Sequence, residues 1–217
     1  MRHRRLVIFV REPLPGRVKS RLAADIGRID ACWWYRRQCR RLLRAVAADP
    51  RWETVLAVTP DRAAPGRFWP SGLARTGQGA GDLGRRMARA LRRGPGDVLI
   101  VGSDIPGITP ARIAETFACL GPRDAVLAPA EDGGYWAIGR RSGAVLPARA
   151  LERVRWSTRH TGADSVASLA PLSVGLGPVL ADVDCAADLA RPGGGRGGTH
   201  DARARKSPAP GGRSGAT

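Results

Sequence analysis

Residues 97–120 read DVLIVGSDIPGITPARIAETFACL, and their order decides the fold class. Asp97 to Val101, with the apolar run Val98 to Val101, reads as a strand of the kind covered on both faces of a sheet. Gly102 to Gly107 is a polar break rich in glycine and proline. Pro110 to Leu120 repeats apolar residues at helical spacing, with Thr109 placed to cap the helix and Pro110 at its first position. Strand, loop and helix in that order are the opening of a βαβ unit, because parallel strands need a crossover between them.

The same alternation extends in both directions. Leu6 to Val10 reads as a buried strand and Val18 to Ala24 as the opening of a helix. A second helical run, from about Ile29 to Ala48, carries Trp33, Trp34, Leu42, Leu43 and Val46. Thr54 to Thr59 is a strand ended by Pro60 and Asp61. Leu83 to Arg92 is a helix behind the cap Asp82. Ala125 to Ala128 and Tyr135 to Ile138 are strands flanking the turn Glu131-Asp132-Gly133-Gly134. Thr161 to Leu169 reads as a helix, and Val179 to Val183 as a last short strand. The pattern predicts one α/β domain over residues 1–190 with a mainly parallel sheet. The 27 residues from Arg191 to Thr217 hold eight Gly and three Pro, with Ala their only apolar type. Such a segment cannot bury enough surface to offset its ordering entropy, which predicts a disordered basic tail.

Composition narrows the class further. At 217 residues and 43% apolar, the chain can build one sizeable core. Its apolar runs are far short of the ~20 residues of a membrane span. Arg2, Arg4 and Arg5 resemble a signal n-region, but the apolar stretch behind them stops at Arg11 and Glu12 without a small-residue cleavage site. Cys32, Cys39, Cys119 and Cys185 form no CxxC pair, which fits reduced thiols in a cytoplasmic protein. The net charge is +17, yet Lys19 and Lys206 are the only lysines among 36 basic residues. With so much Ala, Gly and Pro, this is the signature of a codon bias that inflates arginine. The arginines are scattered and the 5% aromatics form no stacking platform, so nucleic acid is not the expected partner. An anionic small substrate fits the charge.

Four segments carry candidate chemistry, each at the carboxyl end of a strand or in a glycine-rich loop, where open α/β sheets bind ligands. Residues 11–21, REPLPGRVKSR, offer a turn at Gly16, a helix start, and the cations Arg11, Lys19 and Arg21 for phosphate. Residues 78–84, QGAGDLG, place glycines around the cap Asp82, and Gln78 is a candidate for a base edge. Asp104 follows the central strand directly. A carboxylate there needs a partner, and a divalent cation bridged to phosphates is a natural one. Asp132 in EDGG is a candidate base or second ligand. Asp182 and Asp184 add two acids on one face of a strand. His3, His160 and His200 do not cluster.

In order along the chain stand FVREPLPGRVKSRL, GQGAGDLGRRM, VLIVGSDIPGIT, VLAPAEDGGYWAIG, VRWST and DVDCAADL. This set, spanning about Leu6 to Leu189, resembles the bacterial radical-SAM/selenodomain-associated transferases of the glycosyltransferase-A-like group, some of them labelled arsenosugar-biosynthesis glycosyltransferases. The resemblance implies the nucleotide-diphospho-sugar transferase fold (GT-A type, Rossmann-like). It implies that Arg11, Pro13, Gly16, Lys19 and Arg21 match the nucleotide-phosphate loop, and that Gln78, Gly81, Asp82 and Gly84 lie near the nucleoside. Asp104 matches the metal aspartate, and Asp132, Gly133 and Gly134 the acceptor-side turn. Trp156 and Ser157 match a WST segment, and Asp184 a late metal aspartate. Arg11 stands where the family has lysine, Ser20 where it has threonine, and Cys185-Ala-Ala replaces Thr-Pro-Glu.

The function implied is sugar transfer from a nucleotide-diphospho-sugar donor to a small-molecule acceptor, with Mg²⁺ or Mn²⁺ as cofactor. Two alternatives stay open at this point: nucleotidyl transfer with release of pyrophosphate, and non-catalytic nucleotide binding. Against the first, the region after strand one lacks a GxGxR loop.

Overall fold

The computed structural model describes residues 3–190, apart from 182 and 184. The expected tail from Arg191 onward, together with Asp182 and Asp184, lies outside the described residues. The elements are β1 (Arg4–Arg11), α1 (Ser20–Ile26), α2 (Arg28–Val46), β2 (Glu53–Thr59), β3 (Ala74–Gly77), α3 (Leu83–Arg92), β4 (Asp97–Val101), α4 (Pro110–Cys119), β5 (Ala125–Pro129), β6 (Tyr135–Arg140), α5 (Thr161–Ser168) and β7 (Val174–Leu176).

One seven-stranded sheet runs in the order β3-β2-β1-β4-β6-β5-β7. β6 is antiparallel to both its neighbours, and the other pairings are parallel. The chain winds outward from β1 to β3 and then starts again at β4 on the other side of β1. That reversal leaves a crevice beyond the carboxyl ends of β1 and β4.

Period-two alternation sorts the strands between two apolar layers. Leu6, Ile8 and Val10 of β1 and Leu99 and Val101 of β4 pack with Leu42, Leu43 and Val46 of α2 and Ile113 and Phe117 of α4. Val7, Val98 and Ile100 face the other way, onto Met87 and Leu91 of α3 and onto Leu146, Leu151 and Leu169. Both faces of β4 are therefore covered, and all five of its residues are buried. The helix starts are those expected: Asp82 Oδ1 accepts from the Arg85 N–H at 2.8 Å and Thr109 Oγ1 from the Arg112 N–H at 3.3 Å. Each cap contributes about 1 kcal/mol.

Three features of the sheet differ from expectation. β3 and β7 are edge strands of four and three residues, too short and too rich in Gly and Thr to show an alternation. Among the described residues, the expected strand from Val179 to Val183 shows one bridge, Leu180 to Ala130. Its partner strand ends at Pro129, which has no N–H to donate, and the register of β5 shifts between Ala128 and Pro129. The far edge is pinned by Asp124, which accepts from Arg141 Nη2 and Ser173 Oγ, each at 2.7 Å. The Arg141 guanidinium leads these partners in holding the Asp124 carboxyl down at about 2. Among the described residues all four cysteines are free, and no helix is long and apolar enough to cross a membrane.

Candidate active site

The crevice holds a cavity of about 450 Å³. Lys19, Ser20 and Arg21 line it from the head of α1, Gly102 and Asp104 from the loop after β4, and Asp132 and Gly134 from the β5–β6 turn. Trp156, Ser157, Thr158 and Thr161 close it, with Leu83 and Met87 of α3 opposite Tyr135. The cavity thus has one charged end and one aromatic, apolar end.

Lys19 and Asp104, 85 positions apart, meet at the charged end. Lys19 Nζ donates to Asp104 Oδ2 at 3.0 Å. Lys19 is the residue ahead of α1 and has a left-handed backbone, φ 46° and ψ 55°. A lysine rarely adopts that conformation, and here it accompanies a side chain turned onto the Trp34 ring, 5.7 Å from Nζ to the centroid.

The Asp104 loop is fastened from beneath by one face of α2. The Tyr35 hydroxyl lies 3.0 Å from Ser103 Oγ, Gln38 Nε2 donates to the Ile105 carbonyl at 3.1 Å, and Arg41 Nη2 donates to the Pro106 carbonyl at 3.1 Å. Tyr35 also accepts from the Arg11 N–H at 3.0 Å, so a single buried ring ties the end of β1 to the loop after β4. Burial raises the Tyr35 hydroxyl well above its ordinary value and pushes the neighbouring Cys39 thiol up to about 12, which keeps both neutral. Sequence reasoning missed these three residues. The signal was their spacing of three on a helix otherwise read as core plus arginines.

The Glu131–Gly134 turn is built tightly. Asp132 Oδ1 accepts from the Gly134 N–H at 2.8 Å, and Asp132 lines the cavity. Gly133 has φ +85°, and a Cβ there would strike the Arg159 carbonyl, so only glycine fits. The Gly133 carbonyl accepts from the Gly162 N–H at 2.9 Å, which joins the turn to the start of α5. Ser157, φ 59°, is a second left-handed residue in the cavity wall. Tyr135 and Trp156 meet edge to face at 6.5 Å, and burial raises the Tyr135 hydroxyl.

Other expected residues have different surroundings. Gln78 is buried. Its Nε2 donates to the carbonyls of Val10 at 3.2 Å and Ala57 at 2.9 Å, and its Oε1 accepts from Arg86 Nη1. The amide is fully engaged across the ends of β1 and β2, so it is not presented to a base edge. Asp82 is engaged as the cap of α3, preceded by Gly81 at φ +103°. Gly84 packs against Leu151 and Trp156. In the first loop, Arg11 Nη1 donates to the Arg17 carbonyl, the Pro13 carbonyl accepts from Cys32 Sγ, and Gly16 supplies a left-handed turn at φ +74°. These three shape the loop but do not line the cavity, whereas Lys19 and Arg21 do.

The donor set at the charged end suits a cation brought by a substrate. Among the described residues no three His, Cys, Asp or Glu side chains lie close enough to hold an ion by themselves. Two carboxylates, Asp104 and Asp132, border the cavity, Asp104 with an ammonium already against it, and Mg²⁺ is commonly held by one or two carboxylates plus phosphate oxygens.

Comparison with known proteins agrees with this architecture. The sequence profile of the family described as "Uncharacterized protein conserved in bacteria (DUF2064)" matches residues 42–158. No curated protein sequence matches the chain significantly. Among solved structures, a protein from Desulfovibrio desulfuricans G20 provisionally assigned as a nucleotide-diphospho-sugar transferase is 29% identical, with a TM-score of 0.74 over 85% of this chain and 84% of that one. The 4-diphosphocytidyl-2C-methyl-D-erythritol synthase of Anaerococcus prevotii DSM 20548 shares the fold at 10% identity and a TM-score of 0.53, over 87% of this chain and 95% of its own. So does the inositol-1-phosphate CTP transferase of T. maritima, at 12% identity and a TM-score of 0.52, over 87% and 92%.

Proposed function

The chain belongs to the DUF2064 family, and from that premise we propose that it is a transferase acting on a nucleotide-activated donor, specifically a metal-dependent glycosyltransferase with a nucleotide-diphospho-sugar as donor. The observation that carries this reading is the gathering of Lys19, Arg21, Asp104 and Asp132 around one cavity at the strand-order reversal. The likeness to the Desulfovibrio desulfuricans protein supports the donor class, and the motif set resembles that of the radical-SAM/selenodomain-associated transferases.

In glycosyl transfer the bond breaks at the sugar's anomeric carbon, and negative charge grows on the departing diphosphate. A divalent cation held by Asp104 would supply electrostatic stabilisation to that leaving group. Lys19 and Arg21 bind its phosphate oxygens through charge-assisted hydrogen bonds. Asp132 faces the acceptor side and takes the proton of the attacking hydroxyl. Trp156, Ser157, Gly133 and Gly134 form the acceptor wall.

The test uses the slow passage of donor to water that many transferases show. Incubated with a panel of nucleotide sugars, nucleoside triphosphates and Mg²⁺ or Mn²⁺, the protein is expected to release a nucleoside diphosphate from one nucleotide sugar. Pyrophosphate from a triphosphate, with no nucleotide sugar turned over, would assign nucleotidyl transfer instead. Nucleotide binding with no turnover of any donor would favour the non-catalytic alternative.

Arg21→Ala is expected to weaken a nucleoside diphosphate by about 1.5–3 kcal/mol, the range for a hydrogen bond to a charged group, while the bare nucleoside keeps its affinity. Calorimetry with both ligands checks this. Equal losses would move Arg21 from the phosphates to the nucleoside.

A further inference from the structure

The apolar end of the cavity is an uncovered margin of the second apolar layer. Phe9, Tyr135 and Trp156 pack on that layer yet stay half-buried, and all three line the cavity. Leu83 and Met87, four apart on α3, line it too, and Leu83 is 37% exposed. Apolar side chains facing into a concave space mark a surface that a ligand covers.

The hydroxyls of this wall are turned inward. The Tyr135 hydroxyl donates to Met87 Sδ at 3.8 Å and lies 3.4 Å from Ser165 Oγ. Thr158 Oγ1 donates to the Arg155 carbonyl at 2.8 Å and accepts from the His160 N–H. Thr161 Oγ1 donates to the Thr158 carbonyl at 2.8 Å and accepts from the Thr158 N–H. A sugar lying against these groups would leave its own hydroxyls facing apolar side chains, at the cost of unmade hydrogen bonds. A flat apolar ring has no such cost. Tyr135 and Trp156 meet at 62°, a corner onto which a third ring packs face or edge.

On the reading of this protein as a glycosyltransferase, we propose that its acceptor is a phenol or aryl alcohol whose ring sits on Tyr135 and Trp156. Asp132, three positions before Tyr135, lines the same cavity and receives the acceptor's hydroxyl. In the transfer, the acceptor oxygen bonds to the anomeric carbon of the donor sugar. The bond from that carbon to the diphosphate oxygen breaks, and its electron pair leaves with the diphosphate. The acceptor's proton passes to Asp132. Trp156 and Leu83 then decide the acceptor class through the apolar surface they bury.

Calorimetry on the full chain tests this, with 2-naphthol as the aryl probe and myo-inositol, glucose 1-phosphate and a set of nucleosides as polar ones. 2-Naphthol is expected to bind. Trp156→Ala is expected to weaken it roughly tenfold, while inorganic pyrophosphate, which probes the charged end, keeps its affinity. Leu83→Gln trims apolar surface from the same end at an exposed helix position and should weaken 2-naphthol in the same direction. Circular dichroism checks folding, and Leu83→Gln decides the matter if Trp156→Ala does not fold. No binding of 2-naphthol, or binding that neither substitution weakens, overturns the proposal. So does an equal loss of 2-naphthol and pyrophosphate, which would mean a general loosening of the cavity. Binding of myo-inositol or glucose 1-phosphate that Trp156→Ala weakens would make the acceptor polar. A nucleoside weakened in that way would place the donor's base at this end. Either result also overturns it. If neither pyrophosphate nor any nucleotide binds while 2-naphthol still responds to Trp156, the donor reading falls and the aryl site stands.

Discussion

Asp104→Asn is expected to remove the metal-dependent part of nucleotide affinity and to lower donor turnover on the order of 10²–10³-fold, the equivalent of several kcal/mol of lost electrostatic stabilisation at 1.36 kcal/mol per decade. The substitution keeps the side chain's shape and removes its charge. Asp104 is half-exposed at the end of a strand whose own residues are all buried, so the strand does not depend on the carboxylate. What it loses is the ion pair with Lys19. With the Lys19 side chain nearly buried, losing this charged hydrogen bond costs about 1.5–3 kcal/mol. The melt should therefore fall by several degrees and stay cooperative, while calorimetry with a nucleoside diphosphate loses its dependence on Mg²⁺ or Mn²⁺. An unchanged metal dependence in the variant would remove Asp104 from the cation.

The central part of this arrangement is readable in the sequence because it rests on local rules. β4 runs from Asp97 to Val101 around the apolar run Val98 to Val101, and α4 begins at Pro110 behind its Thr109 cap. Asp104 and the Glu131–Gly134 turn are conspicuous for the same reason, since each follows a strand at the edge where α/β sheets bind ligands. Lys19 and Arg21 are legible as cations after the first strand. Their convergence with Asp104 on one cavity is not, because it depends on β1 and β4 lying side by side.

The residues that escaped notice are those whose partners are remote backbone groups. Gln78 reads as a base-edge candidate in a glycine loop, yet it satisfies the Val10 and Ala57 carbonyls, 68 and 21 positions away, at the ends of two neighbouring strands. Tyr35, Gln38 and Arg41 lie in a helix whose arginine content resembles a solvated face. Only the packing of α2 beneath residues 103–106 shows that these three hold the loop carrying Asp104. Edge strands fail for another reason. β3 and β7 are made by pairing with β2 and β5 and carry no alternation of their own.

Gly84→Ala is expected to destabilise the protein although helix propensity favours it. Gly84 lies in the first turn of α3, where alanine alone would add up to about 1 kcal/mol. A Cβ at this position, however, would collide with the Leu151 carbonyl oxygen and lie 3.1 Å from Trp156 Cζ2. Leu151 has little freedom to retreat. Its backbone is left-handed at φ 63°, its side chain is buried in the second apolar layer, and its N–H donates to Ser168 Oγ at 3.0 Å. Overpacking of this kind costs about 1–3 kcal/mol, enough to outweigh the propensity gain at most of that range, and Gly84→Val should exceed alanine. At roughly 2–4 °C per kcal/mol for a chain of this size, the alanine variant should melt several degrees lower. The same contact joins the fold to the cavity, since Leu83 and Met87 of α3 and Trp156 all line it. Prying α3 away from the 151–156 segment should therefore loosen the aromatic end of the cavity while the charged end, anchored through α2, keeps its affinity for a nucleoside diphosphate. A melting temperature equal to or above wild type in Gly84→Ala would show that the Leu151 carbonyl gives way, and that the glycine is not needed for this close approach.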